Sequence, residues 1–274
     1  MTPKVALTIA GSDSGGGAGL QADLKTFAAL GVYGTSAVTA VTAQHTAAVL
    51  RAVPLDPDTV VAQVHAVVAD LHPAAVKTGM LANPEIVKAI ADVASRGLLP
   101  NLVVDPVLVS TSGHSLMDEG GVDTYRELLF PHAAVVTPNL REAALLAGVD
   151  VHDLASLEAR TQVAESLRRL GPTMVVVKGG HLDDASSADV VVGPGGAVVL
   201  DAARVETTND HGTGCSLSAA IAAHLALGAS LIDAVERAKS YVHEALLGAT
   251  RWQLGSGHGP IDHFGWGDGA PSAR

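Results

Sequence analysis

A glycine-flanked turn and a cysteine stand together at the start of an apolar segment. Residues 207–215 read Thr-Thr-Asn-Asp-His-Gly-Thr-Gly-Cys, and Ser216–Leu227 after them has the composition of a buried helix ending at Gly228. The first N–H groups of a helix lack partners and carry the positive end of its dipole. The turn is therefore predicted to bind an anion, and Cys215 is predicted to have a lowered pKa and an accessible thiolate. The alternative for a lone cysteine is a small buried apolar side chain.

A second glycine-rich stretch, Gly11–Gly19, follows an apolar segment and opens a predicted helix over Leu20–Ala29. Glycines let a backbone approach a ligand closely and adopt positive φ. The stretch is neither a dinucleotide fingerprint nor a Walker loop, because no Gly-Lys-Ser/Thr follows it. It is interpreted as a ligand-binding loop, with a flexible turn as the alternative.

Charged residues follow apolar runs at two further places, and a third motif contains Asn139 and Glu142. Lys178 comes after three valines, and Asp105 comes after Leu-Val-Val. Asn139 and Glu142 have the spacing of a helix-capping box, and capping alone would explain both residues. The alternative is that Glu142 organises a metal-bound water near phosphates. Each charge alone is consistent with an ordinary strand end meeting solvent. Anion-binding backbone, a lysine and two carboxylates for Mg²⁺ are together the equipment of phosphoryl transfer.

The elements that must position these residues alternate between strands and helices. Several apolar runs lack alternation, as expected for a parallel sheet covered on both faces. A single doubly wound α/β domain is predicted over residues 1–264, with ligands at the carboxyl ends of the strands and a frayed tail over Gly265–Arg274. The predicted strands are Val5–Ala10, Thr35–Val41, Ala75–Thr78, Leu102–Asp105, Ala134–Thr137 and Thr173–Lys178; further helices run from Asn83 to Gly97 and over Ser156–Leu170, and Val190–Leu200 is a hairpin.

Composition excludes several function classes. The 274 residues include 17 Lys and Arg and have a formal net charge of −11 with no basic run, so a nucleic-acid surface is not expected. The single cysteine excludes an internal disulfide and a cysteine-rich zinc site. No apolar run approaches the roughly 20 residues that cross a bilayer, and the start lacks a signal-peptide pattern. No membrane contact and a cytoplasmic location are expected.

The 12 histidines show no His-x-x-x-His pair on a helix. His211 adjoins the predicted anion site and is expected to shape that turn. His258 and His263 are expected to be structural.

Taken together, these segments resemble the bacterial hydroxymethylpyrimidine/phosphomethylpyrimidine kinases of thiamin biosynthesis, in the ribokinase-like superfamily. The resemblance spans roughly Val5 to Phe264. The motifs that carry it are the segment from Ala10 to Phe27, Thr-Ala-Gln44, Val-Lys-Thr-Gly-Met80, His-Gly-Thr-Gly-Cys215 with Ser-Leu-Ser-Ala-Ala after it, and Asn139-x-x-Glu142.

The resemblance implies a three-layer α/β/α sandwich, usually a homodimer, that uses ATP and Mg²⁺. Cys215 would take the hydroxymethyl proton; sugar kinases of the superfamily carry Asp at this position, so cysteine points away from sugars. Gln44 would read the edge of the pyrimidine ring. The other implied site residues are Gly11, Ala18, Asp23, Met80 and Val107 for the pyrimidine, Gly212, Thr213, Gly214, Lys178, Asn139 and Thr208 for ATP, and Glu142 and Asp105 for the metal.

Three other functions stay open from the sequence. A pyridoxal-type vitamin kinase shares the Gly-Thr-Gly-Cys turn, although Gln44 and Met80 favour the pyrimidine. A non-catalytic ligand sensor on a kinase scaffold is disfavoured by the complete set of anion turn, lysine and carboxylates. An NAD enzyme is least consistent, because no acidic residue stands at the proper place after a dinucleotide loop.

Overall fold

The computed structural model describes residues 2–108, 119–180 and 187–268. In this part of the chain, eight strands form one sheet in the order β10-β9-β8-β7-β6-β5-β1-β2, and β3 and β4 form a separate ribbon. Strands β2, β1, β5, β6, β7 and β8 run parallel, whereas β9 runs antiparallel to both of its neighbours, β8 and β10. The strands are β1 Val5–Ala10, β2 Tyr33–Val38, β3 Ala40–His45, β4 Ala48–Pro54, β5 Ala75–Thr78, β6 Leu102–Val104, β7 Val135–Val136, β8 Met174–Val177, β9 Asp189–Gly193 and β10 Gly196–Leu200.

Helices cover both faces of the sheet, as the apolar strands predict. The helices are α1 Gly19–Ala29, α2 Pro57–Leu71, α3 Pro84–Ser95, α4 Glu119–Thr124, α5 Leu140–Ala147, α6 Leu157–Arg168, α7 Thr213–Ala226 and α8 Leu231–Ala249. One buried cluster joins the sheet to α2, α3, α5 and α6. A second joins it to α1, α7 and α8. The predicted three-layer α/β/α sandwich with a mostly parallel sheet is confirmed.

Local sequence signals fix several element ends as predicted. Asn83 caps α3 by accepting a hydrogen bond from the N–H of Ile86 at 2.9 Å, and Ser156 caps α6. The hairpin over β9 and β10 is also confirmed. Helix α7 begins at Thr213, three residues before the predicted start, because Gly212 adopts φ 85° as its cap.

The strand predicted over Thr35–Val41 is divided in two, because the chain leaves the main sheet at Thr39, between the end of β2 and the start of β3. The Thr39 hydroxyl donates to the carbonyl of Met80 at 2.6 Å, and its N–H donates to Ala10 at 3.0 Å. Residues 35–42 read Thr-Ser-Ala-Val-Thr-Ala-Val-Thr, so no glycine or proline in the sequence marks the turn.

The predicted frayed tail begins too early. Asp262 accepts hydrogen bonds from the N–H groups of Trp266 at 3.0 Å and Gly267 at 2.7 Å. The ring of Trp266 also lies 5.0 Å from that of Phe264, centroid to centroid. These contacts hold residues 265–268 on the domain, and residues 269–274 lie outside the described part of the chain.

None of the described helices combines the length and apolar character that crossing a membrane requires.

Candidate active site

A cavity of about 580 Å³ lies at the carboxyl ends of the parallel strands. This is the edge at which open α/β sheets bind ligands. The topology brings most of the predicted site residues to it. Those that line it are Gly11, Ala18, Gln44, Met80, Asp105, Val107, Glu142, Lys178, Gly212, Thr213, Gly214 and Cys215.

The glycine turn packs tightly against the glycine loop. A Cβ atom at Gly212 would collide with the carbonyl oxygen of Gly17, so only glycine fits there. At Gly214 a Cβ atom would lie 3.3 Å from the Nζ of Lys178. Gly212, Thr213 and Gly214 line the cavity beside this lysine, and the N–H of Thr213 donates to the carbonyl of Asp210 at 3.2 Å. A helix start beside a cation is an arrangement that binds an anion.

The side chains of Lys178 and Asp105, which follow two of the predicted strands, are in contact. Its Nζ donates to Oδ1 of Asp105 at 3.0 Å. Oδ2 of Asp105 accepts from the hydroxyl of Ser218 at 3.1 Å. Burial alone would lower the pKa of Lys178, but the charges of Asp105 and Glu142 outweigh it and raise the pKa. Lys178 therefore stays a cation at neutral pH.

Glu142 serves a helix cap and the cavity at once. Its Oε2 accepts from the N–H of Asn139 at 2.8 Å, and the Asn139 side chain accepts from the N–H of Glu142 at 3.0 Å. Burial and the nearby charge of Asp105 raise the pKa of Glu142 to about 7, against the opposing effect of Lys178. The carboxyl group therefore changes charge within the physiological pH range.

Two residues predicted for ATP do not line the cavity. The side-chain oxygen of Asn139 is used by the helix cap, which is its alternative interpretation. Thr208 turns its carbonyl oxygen to the N–H of Gly259 at 3.2 Å. The neighbouring Thr207 lines the cavity instead.

Asp23 was predicted to face the pyrimidine pocket, and that prediction is wrong. It is fully buried and accepts from the Nζ of Lys77 at 2.7 and 2.8 Å and from the hydroxyl of Thr8 at 2.6 Å. Its partner Lys77 lines the cavity. Burial would lower the pKa of Lys77, but Asp23 outweighs it and raises the pKa. The sequence signal that could have revealed Lys77 is its position inside an apolar strand, because a buried lysine requires a buried partner of opposite charge.

The predicted lowered pKa of Cys215 is also wrong. Burial raises the pKa of its thiol to about 11, and the carboxylates of Asp23 and Asp105 add to the shift. The charge of Lys77 and a hydrogen bond from the N–H of Gly19 act in the opposite direction without reversing it. Burial therefore affects the pKa of Cys215 more than the helix terminus does, and Cys215 is a thiol at neutral pH.

The histidines take the predicted roles. The ring of His211 joins the turn to the glycine loop, with its Nε2 3.0 Å from Oδ2 of Asp13. His263 is buried with its Nε2 3.0 Å from the hydroxyl of Ser216, and burial lowers its pKa to about 4. His258 pairs with Asp210 at the surface.

Comparisons with known proteins agree with this geometry. The sequence model of a family described as phosphomethylpyrimidine kinase matches residues 13–262. A hydroxymethylpyrimidine/phosphomethylpyrimidine kinase of Rhizobium meliloti (strain 1021) is 51% identical over 261 residues, which cover 95% of this chain and 97% of the relative. The chain belongs to the phosphomethylpyrimidine kinase family.

Solved structures support the same fold and a kinase activity. A phosphomethylpyrimidine kinase from Clostridium difficile 630 is 40% identical with a TM-score of 0.78, covering 89% of this chain and 99% of that one. The pyridoxal kinase from Staphylococcus aureus in complex with AMP-PCP and pyridoxal is 35% identical with a TM-score of 0.87, covering 97% and 95% of the two chains. This member of the phosphomethylpyrimidine kinase family is accordingly a phosphotransferase.

The cavity of this kinase extends beyond Lys178 to a second ion pair that the sequence analysis missed. Lys239 donates to Asp189 at 2.7 Å and to the carbonyl of Ser187 at 2.6 Å. Val242 and Leu246 line the same end. An apolar wall with a charged pair suits the base and sugar of a nucleotide. The opposite end, lined by the β3–β4 ribbon, has room for a separate small substrate.

The donor set at the centre of the cavity suits Mg²⁺. No group of three or more His, Cys, Asp or Glu residues in the described ranges could hold a metal by itself. Mg²⁺ usually takes only one or two carboxylates, with phosphate and water oxygens completing its shell. Asp105 and Glu142, both lining the cavity, meet that requirement.

We predict that the Asp23–Lys77 pair supports the fold of this kinase. Lys77→Met leaves a fully buried carboxylate without its cation and should lower the free energy of unfolding by about 3–5 kcal/mol. Arg96→Ala, which breaks the exposed pair with Asp92, is the matched control and should change little. Urea denaturation of both variants measures the difference; equal small losses would contradict a buried, charged pair.

Proposed function

We propose that the protein transfers the γ-phosphoryl group of ATP to a hydroxymethylpyrimidine and then to the resulting monophosphate, as a step of thiamin biosynthesis. The observation that carries the proposal is the position of Lys178 and the α7 N-terminus at the middle of one continuous cavity. A substrate at one end and a nucleotide at the other would meet at that point.

The protein's part in the transfer is positioning and charge compensation. The N–H groups of Gly212 and Gly214 and the ammonium of Lys178 stabilise negative charge on the phosphoryl oxygens, which is the main requirement of such a reaction. Asp105 orients Lys178 through the 3.0 Å hydrogen bond. Mg²⁺, held by Glu142 and Asp105, would supply further neutralisation of the phosphates when bound.

The pocket at the ribbon end fits a small flat ring. A Cβ atom at Gly11 would collide with the terminal methyl of Met80, so the two residues already form a closed wall. Val107 and Ala18 add apolar surface, and Gln44 supplies a hydrogen-bonding edge.

Cys215 is proposed as the proton acceptor for the alcohol. With a pKa of about 11, the thiol must first lose its proton, so this step should accelerate with rising pH. A thiolate of that pKa is also a stronger base than an ordinary one. A phosphate monoester is largely anionic near neutral pH and needs no such base for the second transfer.

Pyridoxal is the second candidate substrate, because the chain resembles pyridoxal kinase structures at a TM-score of 0.87. A competition assay with equal concentrations of hydroxymethylpyrimidine and pyridoxal distinguishes the two. The pyrimidine should account for most of the product; preferential phosphorylation of pyridoxal would contradict the proposed substrate.

The Mg²⁺ requirement is predicted to rise as the pH falls through about 7, where Glu142 becomes protonated. Glu142→Gln keeps an oxygen for the helix cap but removes the charge. It should raise the Mg²⁺ concentration for half-maximal rate about 10- to 100-fold at pH 8 and make it less dependent on pH. Mg²⁺ titrations of both proteins at pH 6 and 8 measure this; lower stability with unchanged Mg²⁺ dependence would leave Glu142 a helix cap alone.

The homodimer implied by the family resemblance and the cytoplasmic location expected from composition are part of this proposal. Analytical ultracentrifugation tests the first, and fractionation of the source cells tests the second.

A further inference from the structure

Three polar side chains form a hydrogen-bonded chain along the wall of the cavity, and the proposed function has so far used only one of them, Gln44. Asp13 comes from the glycine loop, His211 from the turn before α7 and Gln44 from strand β3. All three line the cavity. The Nε2 of His211 lies 3.0 Å from Oδ2 of Asp13 and 3.4 Å from the amide atom of Gln44 that is placed as the nitrogen Nε2.

Asp13 is held as a carboxylate that accepts only. Its side chain is 3% exposed. Oδ1 accepts from the N–H of Gly15 at 2.8 Å, and Oδ2 accepts from those of Gly17 at 3.1 Å and Ala18 at 2.9 Å. Burial tends to raise the pKa of Asp13, but hydrogen bonds from His211 and these N–H groups outweigh it and leave the pKa lowered.

The partner of an ionised carboxylate must be a donor. The Nε2 atom of His211 therefore carries a hydrogen in both the neutral and the charged ring. Without a hydrogen on Nε2, the lone pair of that nitrogen would face the carboxylate of Asp13, and the two acceptors would repel each other. The atom that Gln44 presents to this N–H must accordingly be an acceptor.

The acceptor on Gln44 is its amide oxygen Oε1. The nitrogen and oxygen of an amide exchange places by a half-turn, and only their hydrogen bonds tell them apart. Two N–H donors facing each other at 3.4 Å would repel, so Oε1 faces His211 and the NH₂ group faces the cavity. The main chain of Gln44 is fixed, because its N–H donates to the Ser14 hydroxyl at 2.7 Å and its carbonyl accepts from it at 2.8 Å.

We propose that His211 is a positioning residue that holds the Gln44 amide with its NH₂ group towards the substrate, so that the site selects a ring with a nitrogen acceptor at that edge. The inference rests on the proposed function and specifies how the same site recognises its substrate. A ring carrying C–H at that edge would leave the Gln44 donor unpaired, which disfavours binding.

The test is calorimetric binding of hydroxymethylpyrimidine and of two analogues in which one or the other ring nitrogen is replaced by C–H. Wild-type protein should bind one analogue roughly 5- to 30-fold more weakly than the pyrimidine, the usual effect of one unpaired donor. In His211→Leu the amide can rotate, so that analogue should bind more tightly than to wild type while the pyrimidine binds more weakly. A general distortion of the pocket would weaken both. His211→Gln retains an N–H near the Nε2 position and should restore the discrimination.

Gln44→Glu tests the orientation directly if His211→Leu fails to fold. It replaces the NH₂ group facing the substrate by a carboxylate oxygen, so affinity for the pyrimidine should be lost. Retained affinity would mean that Gln44 presents its oxygen to the ring and would overturn the inference, as would unchanged discrimination in a folded His211→Leu. Wild-type protein that binds none of the three compounds would instead contradict the proposed function.

Discussion

Lys178→Ala is expected to lower kcat for both phosphorylations by about 10²-fold or more, the usual effect of removing one charge-stabilising donor. The physical reason is that Lys178 lies beside the N–H groups that open α7 and has its pKa raised, so its charge is always present. The same phosphoryl group is transferred in both steps, so both should suffer. Steady-state kcat with each substrate, by coupled detection of ADP, measures the effect.

Lys239→Met is the matched control for this loss. Lys239 also lines the cavity as an ion-paired lysine, but at the end assigned to the nucleotide base and sugar. Its removal should raise KM for ATP and leave kcat within a few fold. Unchanged kcat in Lys178→Ala, or equal loss of kcat in both variants, would contradict the role given to Lys178.

Cys215→Ala is expected to lower kcat for the alcohol by roughly 10²- to 10⁴-fold, the range of a positioned base. The N–H groups of the α7 start remain in this variant, so anion binding and the fold should be retained. Phosphorylation of the monophosphate should fall much less, because its attacking oxygen carries little proton to remove. Cys215→Ser, which keeps a similar shape without the thiol, should show the same selective loss.

The pKa of about 11 adds a pH signature to this prediction. A base acts in its deprotonated form, so log kcat for the alcohol should rise between pH 7 and 9 in wild type and be flatter in Cys215→Ala. The monophosphate should show no such dependence on Cys215. Equal losses on both substrates would mean that Cys215 shapes the pocket, and no loss on either would leave it a packed thiol.

The positions of the site residues could be predicted from the sequence because they follow from topology. Lys178 and Asp105 each end an apolar strand, and the carboxyl ends of parallel strands share one edge of the sheet. That rule places both residues at the cavity, whereas the 3.0 Å contact between their side chains is known only from the structure. The glycine turn before α7 was recognisable for a similar reason, since its glycines and the apolar segment after it are adjacent in the chain.

The electrostatics of the site could not be predicted, because they depend on neighbours that are distant in the sequence. The local sequence places Cys215 at a helix start, a position that lowers the pKa of a cysteine. Burial and the carboxylates of Asp23 and Asp105, which come from other elements, raise the pKa of Cys215 instead. Asp23 was predicted to face the pocket, but in the structure it forms a buried ion pair with Lys77, which lies 54 positions away in the sequence. The Asp13–His211–Gln44 chain likewise joins three separate segments, and the sequence analysis named His211 and Gln44 without predicting the contact between them.

The most direct test of the proposed function is mass spectrometry of the products formed from hydroxymethylpyrimidine, ATP and Mg²⁺ by the purified protein. Successive appearance of the pyrimidine monophosphate and diphosphate, with one ADP released at each transfer, is the predicted result. The absence of any phosphorylated pyrimidine under conditions in which pyridoxal is phosphorylated, or in which no ATP is consumed, would contradict it.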